Sequence, residues 1–256
     1  SDYFTPTESD PNFETLKPVY IDPYWTASLE MDRWETHIIP MLADFERVIH
    51  YSFPDTAPDY DTFGLTGWEA ANEELKTATR DILSNFEDIL DVTFNESSDP
   101  KATNVIAVGI SRQATTAGFT YFPNNHFEIG MDVFIAKGYT NPRYSSDLLT
   151  NYDYEVLVHE MGHALGLKHP FEASGASTET LSFYEDNTRN TAMSYTESAA
   201  TFNGTLRSLD WMALTKFYGV NSKEGLEFFE AHKSADVIHR AECEKLLDGL
   251  SKDEQE

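Results

Sequence analysis

The chain has 256 residues, of which 40% are hydrophobic and 13% aromatic, enough apolar surface for one large domain or for a domain with an extension. Its 18 basic and 44 acidic residues give a net charge of −26, which makes nucleic acid and anionic membrane unfavourable partners; most of the carboxylates read as solvated surface, with attraction of a cationic substrate as a further effect. No apolar run reaches the roughly 18 residues of a membrane span, no secretory leader is visible (a mature chain would lack one too), and the single cysteine, Cys243, excludes an intramolecular disulfide framework.

Residues 1–35 are rich in Pro, Asp, Tyr and Trp, show little periodicity, and read as an N-terminal extension or linker. The main domain is expected over residues 36–222. Thr66-Gly67-Trp68-Glu69 has the spacing of a capping box, and Trp68, Leu75, Ala78, Ile82, Phe86 and Ile89 recur at helical intervals, so a long amphipathic helix is predicted over 67–90. Val92–Phe94, Val105–Val108, Phe119–Tyr121 and Met131–Ile135 are short β-rich runs bounded by Gly, Pro or Asn. A second helix is expected from about Asp153 to just before Gly166, then a loop over 170–192, then a helix from Leu209 to Tyr218 with Gly219 as its C-cap. Residues 223–256 are acidic and helix-prone, and read as a separate tail. The order of elements predicts an α+β fold.

The second helix carries the chemistry. His159-Glu160-Met161-Gly162-His163-Ala164-Leu165-Gly166-Leu167-Lys168-His169 fits H-E-x-x-H-x-x-G-x-x-H at every fixed position. Residues four apart share a helix face, so His159 and His163 can bind one Zn²⁺ through neutral imidazoles. Glu160 is offset around the helix, placed to hold a metal-bound water as general base. Gly166 tolerates the positive φ of a helix end, where the chain can turn and return His169 as third ligand. Three protein ligands leave a position open, which marks a catalytic zinc site. A bare H-E-x-x-H arises by chance in many helices, and a structural zinc site would more often use cysteine or four protein ligands. The added Gly166 and His169 argue against the first reading, and the lone distant Cys243 against the second. His37, His50, His126, His232 and His239 have no ligand spacing to this cluster.

The extended motif is the metzincin signature. Its partner downstream is Thr191-Ala192-Met193-Ser194-Tyr195, which resembles the methionine turn of that clan. With Pro170 directly after His169, the combination resembles the serralysin group rather than astacins, matrixins or reprolysins. Ile49–Phe53, Ala117–Pro123, Asp132–Ile135, Leu209–Leu214 and Phe217–Gly219 resemble further serralysin segments in the right order, over roughly residues 35–222.

This resemblance implies a twisted mixed sheet with an antiparallel edge strand, a long active-site helix, and a C-terminal subdomain after the zinc-binding turn. It implies a secreted zinc endopeptidase acting on protein or peptide substrates. His159, His163 and His169 would hold the metal, Glu160 would be the general base, and Met193 would floor the site. Tyr195 would ligate resting zinc and swing to stabilise the transition state. Substrate would lie along the strand containing Gly118, Phe119, Thr120 and Tyr121. Serralysins continue into glycine- and aspartate-rich repeats that bind Ca²⁺, and no such repeat occurs in this sequence. A catalytically silent interaction module, and an enzyme held latent by a terminal extension, are the alternative readings. An intact Glu160 and three histidines count against the silent module.

Overall fold

The structure, a computed structural model, describes residues 24–58, 66–99, 104–113, 115–136, 151–197 and 204–221. The elements in chain order are α1 (Tyr24–Ala27), α2 (Trp34–Asp44), β1 (Val48–Ser52), β2 (Thr66–Ala70), α3 (Glu73–Ile89), β3 (Thr93–Glu96), β4 (Val105–Arg112), β5 (Gly118–Thr120), β6 (Val133–Ala136), α4 (Asn151–Ala164) and α5 (Ser208–Tyr218). The acidic tail over 223–256 lies outside the described residues.

The sheet runs β3-β1-β4-β6-β5, with β2 paired to β4. β1, β3, β4 and β6 are mutually parallel, and β5 closes one end antiparallel to β6, with Phe119 opposite Phe134. This is the expected α+β arrangement, a mixed sheet with an antiparallel edge strand. The position of β4 explains its sequence. A central strand covered on both faces reads as a continuous apolar run, and Val105 to Gly109 are all buried. Helices pack over it into one core containing Ile82, Phe86, Ile106, Val108, Leu157, Met161 and Leu214.

The long helix begins later than the sequence pattern suggests. Its N-cap is Asn72, whose side chain accepts from the Leu75 backbone N–H at 2.9 Å. The Thr66–Glu69 stretch is strand β2 instead, antiparallel to β4, with a register shift between Thr66 and Glu69. Packing overrides the local capping signal here. The Trp68 ring lies against Gly109, where an added Cβ would fall 2.2 Å from it, and meets Phe134 edge-on at 5.9 Å. From Leu75 onward the helical period holds, and Leu75, Ala78, Ile82 and Phe86 are buried as expected.

Leu29, Met31 and Trp34, which the sequence reading left in the N-terminal extension, are buried in the same core. Their segment is tied to the chain beyond α4. Met31 N–H donates to the Gly166 carbonyl at 3.0 Å, Lys168 N–H donates to the Leu29 carbonyl at 2.8 Å, and Glu30 forms an antiparallel bridge with Leu167.

Candidate active site

The end of α4 shapes the site. Gly166 has φ +99°, and a Cβ there would lie 2.9 Å from Ile38 Cδ1, so both conformation and space favour glycine. Gly166 N–H donates to the His163 carbonyl and Leu167 N–H to the Gly162 carbonyl, each at 2.9 Å. This pair of bonds is the Schellman pattern, which ends a helix and reverses the chain. The reversal brings His169 back against the helix face bearing His159 and His163.

The three imidazoles converge. His169 Nε2 lies 3.2 Å from His159 Nε2 and 3.0 Å from His163 Nε2. Each opposite ring nitrogen faces an oxygen: His159 Nδ1 the Ala192 carbonyl at 2.8 Å, His163 Nδ1 the Leu167 carbonyl at 2.7 Å, and His169 Nδ1 the Glu172 carboxylate at 2.5 Å. Those acceptors place the proton on Nδ1 and leave three Nε2 lone pairs pointing at one another. Burial pulls His159 down to about 4 and His163 well below the usual histidine range, so both rings are neutral. Three ring-nitrogen lone pairs held this close repel unless a cation sits between them. The donor set therefore fits a zinc ion, and among the described residues it is the grouping placed to hold a metal.

Glu160 is 5% exposed and lies beside the edge strand. Thr120 Oγ1 donates to its Oε2 at 2.7 Å. A Cβ on Gly118 would fall 2.5 Å from its Oε1, so glycine at 118 makes room for the carboxylate. Burial raises Glu160 to about 7, against the lowering effect of the Thr120 hydrogen bond. Tyr195 stands at the rim, 66% exposed, with its ring 5.6 Å from His159 and 4.7 Å from His169. Burial of part of its ring, with Glu160 and Glu172 nearby, raises its pKa, so the phenol keeps its proton. Phe171 stacks on His169 at 5.0 Å and meets Tyr195 at 5.1 Å. Met193 is fully buried, and an added Cβ on Gly162 would fall 2.7 Å from its Sδ. Met193 thus packs against α4 at Gly162, the residue before His163.

A cavity of about 370 Å³ opens beside His159 and Glu160 and is lined by Thr116, Tyr152, Val156, Thr188 and Ser194 among others. A larger one, about 650 Å³, lies behind α4 against Phe86, Val158, Arg207 and Trp211 and contains none of the motif residues. The smaller cavity is the one lined by the buried Glu160 carboxyl, His159 and Tyr195.

Residues 131–209 match the model of the reprolysin-like metallo-peptidase family M12B. Over a longer stretch the chain is similar to serralysin of Photorhabdus sp. (strain Az29), 28% identical over 188 residues that make up 67% of this chain and 38% of that one. It is also similar to serralysin of Proteus mirabilis, 25% identical over 227 residues (74% and 46% of the two chains). Metallopeptidase AprA of Pseudomonas marginalis is 27% identical over 205 residues (68% and 43%). These likenesses support reading the chain as a serralysin-like metzincin. It spans about two fifths of the length of the curated relatives it matches.

Sequence reasoning missed several residues that support the histidine cluster. Asp210 is fully buried and collects three donors: Thr191 Oγ1 at 2.5 Å, Ala192 N–H at 2.7 Å and Arg207 N–H at 2.8 Å. Thr191 Oγ1 in turn accepts from Met193 N–H at 3.0 Å. Asp210 thus closes the start of α5 and fixes the turn whose Ala192 carbonyl orients His159. Glu155, one helical turn before His159, pairs with Arg207 at 2.6 Å and accepts from Gly204 N–H at 2.9 Å. The Lys168 side chain is also inside the protein, 1% exposed. Its burial lowers the ammonium to about 8, opposed by Glu172, Glu179 and Glu30, so it remains charged at neutral pH. Thr120 was expected to line the substrate strand, and its hydroxyl turns inward to Glu160.

Proposed function

We propose that this chain is a zinc-dependent endopeptidase, with His159, His163 and His169 as ligands, Glu160 as general base, and protein or peptide chains as substrates. The observation that carries this reading is the convergence of three Nε2 lone pairs beside a buried carboxyl on one helix. A bound zinc would supply Lewis-acid polarisation of the scissile carbonyl and a lowered pKa for the attacking water.

The chain's own groups account for the remaining steps. Glu160 takes a proton from the attacking water and passes it to the leaving amine. Its buried setting matches that task, since a base working near neutrality is most effective with a pKa near 7. Thr120 and the space over Gly118 aim the carboxylate. The Tyr195 phenol, which keeps its proton, donates to the oxyanion of the tetrahedral intermediate. An extended substrate adds to the edge of β5 that carries no strand among the described residues, forming main-chain hydrogen bonds on the side not used by β6. Binding of that kind reads backbone before side chain, so broad specificity follows. By resemblance the protein works outside the cell. Calcium would act, as in serralysins, in repeats that this sequence does not contain.

The test is metal content and cleavage of an unfolded protein substrate. One zinc per chain is expected, with activity abolished by a chelator and restored by zinc. A protein that binds no zinc, or whose cleavage survives complete chelation, would defeat the reading. Tyr195→Phe is expected to lower kcat roughly 100-fold, the typical loss of one oxyanion donor. KM and zinc content should change little, because the tyrosine is not one of the three converging ligands; steady-state kinetics with metal analysis checks this.

A further inference from the structure

Lysine is almost never fully buried unless its charge is compensated. Lys168, directly before the third histidine, has its side chain inside the protein and its Nζ among backbone carbonyls. The ammonium donates to Ser28 O at 2.6 Å, Glu172 O at 2.9 Å and Glu179 O at 2.9 Å, with His169 O at 3.3 Å. An ammonium has three donors, so the long contact to His169 is a shared one. Among the described residues no carboxylate is hydrogen-bonded to it; charge–dipole attraction to carbonyl oxygens compensates the burial, helped by the nearby charges of Glu172, Glu179 and Glu30.

Those oxygens come from three stretches of chain: the segment after α1, the residue that carries the third imidazole, and the loop that follows it. The same three stretches are joined by other contacts. Lys168 N–H donates to Leu29 O at 2.8 Å, so one residue grips the N-terminal segment through both backbone and side chain. Asp32 Oδ1 accepts from Ala176 N–H at 3.1 Å, and Ser177 Oγ donates to Ala27 O. Leu181 N–H donates to Pro170 O at 2.8 Å and closes the loop on itself. Glu172, whose carboxylate orients His169, also gives its carbonyl to Lys168. His159 and His163 are fixed by a helix. His169 follows the helix end and has no regular element of its own, so the Lys168 cage replaces a helix as its support.

We propose that Lys168 is a positioning residue for the third zinc ligand, an internal cation that gathers the N-terminal segment and the 170–181 loop around the backbone of His169. This rests on the zinc reading of the three histidines. Loss of the ammonium leaves the carbonyl cluster self-repelling, and the loop then moves His169 and Glu172 away from the helical pair. The N-terminal segment is accordingly part of the site's support, and a truncation reaching residue 30 removes Ser28 and Leu29 from it.

The test compares wild type with Lys168→Met, which keeps length and apolar bulk, in the full chain. Zinc affinity is measured by competition with a chromophoric chelator, and the visible spectrum of the cobalt(II)-substituted protein reports ligand geometry. Zinc affinity is expected to fall about 10- to 100-fold, the usual effect of removing a group that orients a ligand. The cobalt bands should shift, with kcat reduced more than KM. Unchanged affinity and an unchanged cobalt spectrum would overturn the proposal even if the melting temperature drops, because a merely structural lysine predicts that pattern. If Lys168→Met does not fold, Lys168→Gln, which retains N–H donors without charge, takes its place under the same criteria. Failure of both to fold makes the residue one for folding and overturns the positioning role. Wild-type protein that neither binds zinc nor cleaves protein defeats the endopeptidase reading instead, so the two failures are distinct.

Discussion

Glu160→Gln is expected to lower kcat/KM by ~100- to 10,000-fold, the range typical of a general base, while leaving zinc content and fold intact. The substitution keeps the shape that the pocket over Gly118 accommodates. It also retains an oxygen that can accept from Thr120, whose hydroxyl now bonds Glu160 at 2.7 Å. Folding loses little, because an amide replaces a carboxyl already held at a desolvation cost. The three imidazoles are untouched, since their outer nitrogens bond Ala192, Leu167 and Glu172 and none bonds Glu160. Steady-state kinetics, metal analysis and thermal melting of the same preparation separate these effects. Full activity in a zinc-loaded variant would remove Glu160 from the reaction, and loss of zinc would make it part of the metal set.

The parts of the site legible in the sequence are those fixed by helix geometry. The spacing of His159 and His163 makes them neighbours on α4, and Gly166 marks the place where the chain must reverse. Each follows from one local rule. The helix over 73–89 was legible for the same reason, because an amphipathic period survives whatever packs against it. Its start was not. Thr66 and Glu69 satisfy a capping pattern, yet the Trp68 ring has a glycine-shaped gap to fill on β4, and burial of an aromatic of that size outweighs a cap of about 1 kcal/mol. Lys168 and Asp210 were invisible for a different reason. Most of their partners are backbone carbonyls and N–H groups, which every residue carries, so nothing in the sequence distinguishes them from surface charges until the fold brings those groups together. Thr120 lay between: its place on the edge strand was legible, and its inward hydroxyl depended on how α4 crosses β5.

Replacing Asp210 with alanine is expected to be the largest single loss of stability, about 3–5 kcal/mol, or roughly 10 °C in melting temperature. One carboxylate accepts from Thr191 Oγ1, Ala192 N–H and Arg207 N–H in a fully buried place, and its removal leaves three buried donors without that acceptor. The loss reaches the metal site as well. Thr191, released from Asp210, no longer fixes Met193 N–H, and the Ala192 carbonyl no longer holds the His159 ring in one tautomer. Zinc affinity should therefore fall along with stability. The pH dependence has a definite sign. Burial raises Asp210 from 3.8 to about 6, although its three donors and the Arg207 charge act the other way. A group whose pKa is higher in the folded state contributes stability that is full below its unfolded value and is lost as pH rises through its folded one. Alanine has no such titration. The gap in stability between wild type and Asp210→Ala should therefore be wider at pH 5 than at pH 7, measured by urea unfolding in chelator so that metal release does not enter. A gap that widens toward pH 7 would show instead that the three donors outweigh burial, and that the ionised carboxylate is the form the fold prefers.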